Sequence, residues 1–147
     1  MPQIRRSALV PFSAQQMFDL VNDVNAYPQF LPGCVGSQII DEKDDLMTAS
    51  VDVSKAGISK TFTTRNQLVT GERIDMQLID GPFKKLMGGW HFTELDSDAC
   101  KIELKLDFEF KNMFVEMAFG KVFSELTNNM VNAFTSRAKE VYVDATV

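Results

Sequence analysis

From residue 99 to residue 110 hydrophobic and charged positions alternate without a break. Cys100, Ile102, Leu104, Leu106, Phe108 and Phe110 alternate with Lys101, Glu103, Lys105, Asp107 and Glu109. A period of two with one dry face and one wet face predicts an antiparallel strand covered on one side only. Met47, Ala49, Val51 and Val53 repeat the pattern against Thr48, Ser50 and Asp52. Phe62, Thr64, Asn66 and Leu68 share one face of a further strand, and Ile74, Met76 and Leu78 mark another. Gln3 to Val10 reads as a first strand closed by Pro11, and the period of two resumes from Val35 onward.

Two stretches follow the helical period instead. Ser13 caps a helix and Gln16 completes a capping box. Met17, Leu20, Val21 and Val24 then give a short amphipathic helix over 14–24. Pro28 and Pro32 stop it, leaving at most one more turn around Tyr27 to Leu31. Residues 113–143 predict one long helix. Val115, Phe119, Val122, Phe123, Leu126, Met130, Ala133, Phe134 and Val141 share a broad face opposite Lys121, Glu125, Asn128, Asn132, Ser136 and Lys139.

Short turn signals separate the strands: 41–45, 55–57, 70–71, 80–82 and 96–98. The order is one strand, a short helical pair, about six strands and a long helix. That order predicts an α+β fold in which an antiparallel sheet of about seven strands curls around the helix. Gly88 and Gly89 mark where the sheet bends. A sheet wrapped on one helix leaves a gap, expected at the end where the short helical pair sits.

Composition sharpens this picture. The 147 residues suit one domain, 1–147, with an adequate core. Twelve Phe and eight Met suggest large, adaptable interior side chains, which build either a plain core or the wall of an apolar pocket. A net charge of -5 argues against a general nucleic-acid binder. The first residues lack the apolar run of a signal peptide, and no stretch reaches the length of a membrane span. Cys34 and Cys100 have no metal-ligand spacing, so free thiols and a reducing cytoplasmic location are expected.

No catalytic constellation is visible. His91 is the only histidine, and alternation turns it away from the Trp90 and Phe92 face. Metal ligation and a glycine-rich phosphate loop are likewise unsupported, so a binder is expected rather than an enzyme, with no cofactor. Trp90, Phe92, Phe108, Phe110, Phe119 and Phe123 form an aromatic interior that serves equally as core or as ligand wall. Polar residues bear on the choice. Thr64 and Asn66 share the inward face with Phe62, and Arg137 falls near the centre of the long helix's apolar stripe. A buried guanidinium needs a partner: either a structural carboxylate or a ligand's carbonyl or hydroxyl. Tyr27, Phe30 and Leu31, stiffened by two prolines, form either a lid over the gap or a plug of the core.

Four motifs, taken in order, carry a resemblance. They are VNDVNAYPQFLPGC at 21–34, FTTRN at 62–66, DGPFKKLMGGWHF at 80–92 and MVNAFTSRA at 130–138. The chain resembles, from about Ile4 to Tyr142, a bacterial family described in two ways. One description is ribosome-association toxin; the other is coenzyme Q-binding, polyketide-cyclase-like START protein. It departs from that family at Gly33, often Trp there, and at Asn25, often Glu.

The resemblance implies a helix-grip fold and two candidate roles. The first is binding of ubiquinone or a similar polyprenyl quinone in support of respiration. The second is docking on the large ribosomal subunit so as to block subunit association. For the first role the expected ligand contacts are Tyr27, Phe30, Leu31, Phe62, Thr64, Asn66, Trp90, Phe92, Phe108, Phe119, Phe123 and Arg137. Lys55 and Lys60 flank one turn tip and Lys84 and Lys85 another. On an acidic chain these are the expected contacts with ribosomal RNA or with a membrane surface.

Overall fold

Strand β7 (Ala99–Phe110) shows how the alternation becomes architecture. Its even-numbered residues are all buried, from Cys100 and Ile102 through Phe108 to Phe110, and its odd-numbered ones face outward. β7 lies between β1 (Gln3–Val10) and β6 (Phe83–Asp96) in a seven-stranded sheet of order β1-β7-β6-β5-β4-β3-β2. The remaining strands are β2 (Cys34–Lys43), β3 (Leu46–Lys55), β4 (Ile58–Val69) and β5 (Arg73–Asp80). Every neighbouring pair is antiparallel. The structure is a computed structural model describing residues 3–55 and 57–143. Ala56 in the β3–β4 tip and both chain ends, which the expected single domain 1–147 includes, lie outside the described residues.

The sheet's concave face receives α2 (Met113–Ala138). Asn112 caps it, its side-chain oxygen accepting from Val115 N at 3.0 Å. The apolar stripe is buried as the wheel predicts, with Phe119, Phe123 and Phe134 essentially inaccessible. One difference comes at the end. The α-helix stops at Ala138 and Lys139–Val143 form a wider π-helical turn, which brings Tyr142 against α1 with its hydroxyl donating to Gln16 O at 2.7 Å.

α1 (Ala14–Asn22) has the expected capping box at Ser13 and Gln16, but it ends two residues short of the predicted 24. Val24–Gln29 then form a 3-10 helix with Pro28 inside it. Proline does not end this element because its fixed φ suits a 3-10 turn and only one backbone donor is lost. The β2–β3 turn is also tighter than predicted. β2 runs on to Lys43, and Asp44 turns the chain with a φ of 54°, a conformation aspartate tolerates.

At the bend, Gly88 and Gly89 have φ of 134° and 153°. A Cβ on either would collide with a carbonyl oxygen of a flanking strand, Lys105 for the first and Ile74 for the second. Only glycine therefore fits at these two positions, where the backbones of both flanking strands leave no room for a Cβ.

Candidate functional site

Between the sheet and α2 lies a cavity of about 70 Å³, with almost wholly apolar walls. The sheet contributes alternate inward residues: Ala49 and Val51, Phe62, Thr64 and Asn66, Met76, Leu86 and Trp90, and Leu106. α2 contributes Phe123, Leu126, Thr127 and Met130, and the 3-10 segment closes one end with Val24, Tyr27 and Leu31.

Polar groups are few, and they converge. Thr64 and Asn66 are both buried, and Thr64 Oγ1 donates to Asn66 Oδ1 at 2.8 Å. Among the described residues Asn66 Nδ2 has no protein acceptor, although no fully enclosed polar side-chain atom is left unpaired. The amide nitrogen is therefore not fully enclosed, on a residue that lines the cavity. Thr127 faces the same space, but its hydroxyl is committed to Phe123 O at 2.9 Å, four residues back on its own helix.

The Tyr27–Leu31 segment divides its side chains. Tyr27 and Leu31 face the cavity. The Tyr27 hydroxyl donates to Val21 O, and burial pushes the phenol far above its usual titration range. Phe30 points away, edge-on to Phe134 at 5.2 Å. Phe134 also meets Tyr27 and Trp90, each at 5.3 Å, so one aromatic ring fixes this segment to the sheet. Ser37 holds the other side, its hydroxyl donating to Val24 O at 2.6 Å.

Seven of the twelve expected contacts line this space: Tyr27, Leu31, Phe62, Thr64, Asn66, Trp90 and Phe123. Phe30, Phe92, Phe108, Phe119 and Arg137 do not. Phe92 packs on Phe18, while Phe108 and Phe119 belong to an aromatic cluster around Phe83 and Phe123 that fills the core toward the start of α2.

Arg137 departs most from its expected central place in the stripe. α2 has passed the cavity by this point, and the guanidinium lies across Phe30 at 5.2 Å. It also bonds Gln29 Oε1 at 3.0 Å and Glu140 at 3.2 Å. It ties the outside of the lid to the end of the helix. The missed α2 liners Leu126 and Met130 sat on the predicted apolar face and Thr127 did not; only their neighbours across the gap distinguish wall from core.

The lysines also separate. Lys55 pairs with Glu125 on α2, which holds that carboxyl below its usual range, chiefly through the hydrogen bond from Lys55. Lys60 and Lys84 are exposed and Lys85 is half-buried.

Cys34 and Cys100 are free and buried. Desolvation raises both thiols, Cys100 from 9.0 to about 11. An unfolded chain releases that proton above its ordinary value while the folded one keeps it. Cys100 therefore costs no stability below pH 9.0 and drains it as pH climbs toward about 11. Thermal melts across this range should show the decline, and Cys100→Ala should make it shallower. An unchanged slope would mean that the thiol does not contribute.

A seven-stranded antiparallel sheet gripping a long C-terminal helix, with a cavity between them, defines a START-like helix-grip protein. The family model described as polyketide cyclase / dehydrase and lipid transport matches residues 10–135. The Ribosome association toxin RatA of Escherichia coli K12 is 68% identical over 142 residues, covering 97% of this chain and 90% of that one. The Coenzyme Q-binding protein COQ10 homolog B, mitochondrial, of Xenopus laevis is 27% identical over 140 residues, covering 92% of this chain and 57% of that protein. Among solved structures, the Zhui aromatase/cyclase from Streptomyces superposes with a TM-score of 0.84 over 97% of each chain at 18% identity, a likeness of fold. The chain belongs to the polyketide cyclase/dehydrase and lipid transport family, among the relatives of the ribosome association toxins.

Proposed function

We propose that this protein is a non-enzymatic binder that takes up a hydrophobic ligand carrying a hydrogen-bond acceptor, with a ubiquinone-like polyprenyl quinone as the fitting class. The observation that carries this reading is the free Asn66 amide in an otherwise apolar cavity. A quinone carbonyl is the kind of acceptor that satisfies such a donor, and the aromatic and aliphatic walls suit ring and isoprenoid tail. Binding rather than catalysis is favoured because, among the described residues, the one titrating group at the wall is Tyr27, whose proton burial retains. The COQ10 homologue's name supports the same ligand class.

The cavity size sets a condition. About 70 Å³ is roughly half of what an engineered cavity needs to hold benzene, about 150 Å³. Uptake of a quinone ring therefore requires the 3-10 lid and Met130 to swing outward.

Short-chain ubiquinone should raise the melting temperature of the protein, and native mass spectrometry should show a one-to-one adduct. Asn66→Leu combined with Thr64→Val, which removes both partners of their buried hydrogen bond, should leave the empty protein about as stable and weaken binding by about three- to tenfold, the worth of one hydrogen bond. Absence of both shift and adduct would reduce the cavity to a packing void.

A second reading, a translation regulator on the large ribosomal subunit, is favoured by the name of the relative with 68% identity. Co-sedimentation with purified subunits tests it. A Lys84→Glu, Lys85→Glu variant that no longer sediments, beside a Trp90→Ala variant that folds and still does, would support a surface role.

A further inference from the structure

Nothing in the described chain covers the start of α2. Met113, Phe114 and Met117 are 70%, 82% and 76% exposed, and Ala118 is exposed beside them. Residues 114, 117, 118 and 121 fall on one side of a helix, so Lys121 extends the stripe that Phe114 begins. The stripe faces outward because the opposite side, Phe119, Val122 and Phe123, fills the sheet.

Charge is distributed unevenly around this patch. The β3–β4 tip, the β5–β6 tip and the β7–α2 junction lie at the same end of the sheet, as the pairing of Phe83 with Phe110 and of Lys55 with Ile58 requires. They carry Lys55, Lys60, Lys84, Lys85 and Lys111. Four acidic groups also lie at this end: Glu125 pairs with Lys55, Glu109 stands opposite Lys85 in register, and Asp80 and Glu116 are exposed, fewer than the lysines there. The far end is acidic, with Asp41, Glu42, Asp44 and Asp45 around the β2–β3 turn and Glu94, Asp96 and Asp98 around the β6–β7 turn. A chain of net charge -5 thus has a lysine-bearing pole where large apolar side chains stand in solvent. Lys84, Lys111 and Met113 share one surface groove there, together with Glu109 and Glu116.

We propose that this pole docks on an anionic phospholipid bilayer, with Phe114, Met113 and Met117 entering the headgroup–acyl boundary and Lys84, Lys111 and Lys121 set against lipid phosphates. RNA would satisfy the lysines and leave the three apolar side chains wet. A neutral bilayer would do the reverse. An anionic bilayer meets both demands, and repulsion of the acidic pole fixes the orientation. The inference is independent of what the cavity holds.

Flotation of the full chain with phosphatidylcholine vesicles, with and without phosphatidylglycerol, tests it. Binding is expected to the anionic vesicles only, and to weaken as salt is added. Phe114→Glu with Met117→Glu should lower it by at least about tenfold, and Lys84→Glu with Lys111→Glu by several-fold. All four positions are exposed, so unchanged melting temperatures should confirm that each variant is folded. No flotation of the folded wild-type protein would overturn the proposal, as would flotation that survives the Phe114, Met117 change. So would a concentration-dependent dimer that this change dissolves, or a change that abolishes ribosome sedimentation but not flotation; either result reassigns the patch.

Discussion

Gly89→Ala should cost this protein several kcal/mol of stability, and Gly88→Ala with Gly89→Ala should leave it unfolded. At φ of 153° Gly89 occupies backbone space that L side chains rarely enter, a strain of about 1–3 kcal/mol for any other residue. The added methyl would also meet Ile74 O and the Asp75 Cα of β5. Gly88 has the same conflict with Lys105 and Leu106 of β7 on the other side. These obstacles are backbone atoms of hydrogen-bonded strands, so no rotamer change relieves them. Overpacking adds about 1–3 kcal/mol or more, against a total stability of about 5–15 kcal/mol for a typical domain. Urea unfolding of Gly89→Ala measures the loss. A value below about 1 kcal/mol would show that β6 has another way to bend.

Phe123→Ala is expected to destabilise the empty protein by about 3–5 kcal/mol, the usual cost of deleting a core phenyl ring. Phe123 is 1% exposed. Its ring meets Phe83 at 4.8 Å and Phe108 at 4.9 Å. It also forms part of the cavity wall, which distinguishes it from its neighbours Phe83, Phe108 and Phe119. The space it vacates joins the existing 70 Å³, making room for a small aromatic molecule. Benzene or indole should therefore recover much of the lost melting temperature in Phe123→Ala. Phe92→Ala is the control, because Phe92 is also buried, against Phe18 and Trp90, but away from the cavity. It should lose comparable stability and recover little. Equal recovery in both variants would argue that the ligand fills whichever hole is made, and that the cavity has no privileged link to α2.

The two variants probe different levels of legibility. A glycine pair within an alternating run already marks a bend in sequence. The reason both glycines are needed is the simultaneous approach of Ile74 and Lys105, residues from strands on opposite sides of β6. Phe123 could be read as inward from its wheel position, but sequence gives no measure of the gap beside it. A plain core and a pocket differ there by a ring's width, set by how five strands and a helix settle together.

What the sequence determined by itself is everything that depends on period and local chemistry. Alternation at 47–53, 62–68, 74–78 and 99–110 dictated strands with one buried face. The stripe from Val115 to Phe134 required a helix that only such a face could cover. Ser13 and Gln16 set the start of α1, because a cap needs only neighbours three residues apart. Tertiary structure decided what depends on distant partners. Arg137 shares its face with Phe123 on a wheel, yet α2 outruns the cavity and delivers the guanidinium to Phe30 and Gln29 of the lid. Lys55 looked like a free tip cation until the curl of β3 set it beside Glu125. Phe114 and Met117 have the composition of core residues, but they stand in water because α2 begins beyond the aromatic cluster that closes the sheet's interior. A helical period fixes which residues share a face; what that face meets, turn by turn, is fixed only by where the sheet ends.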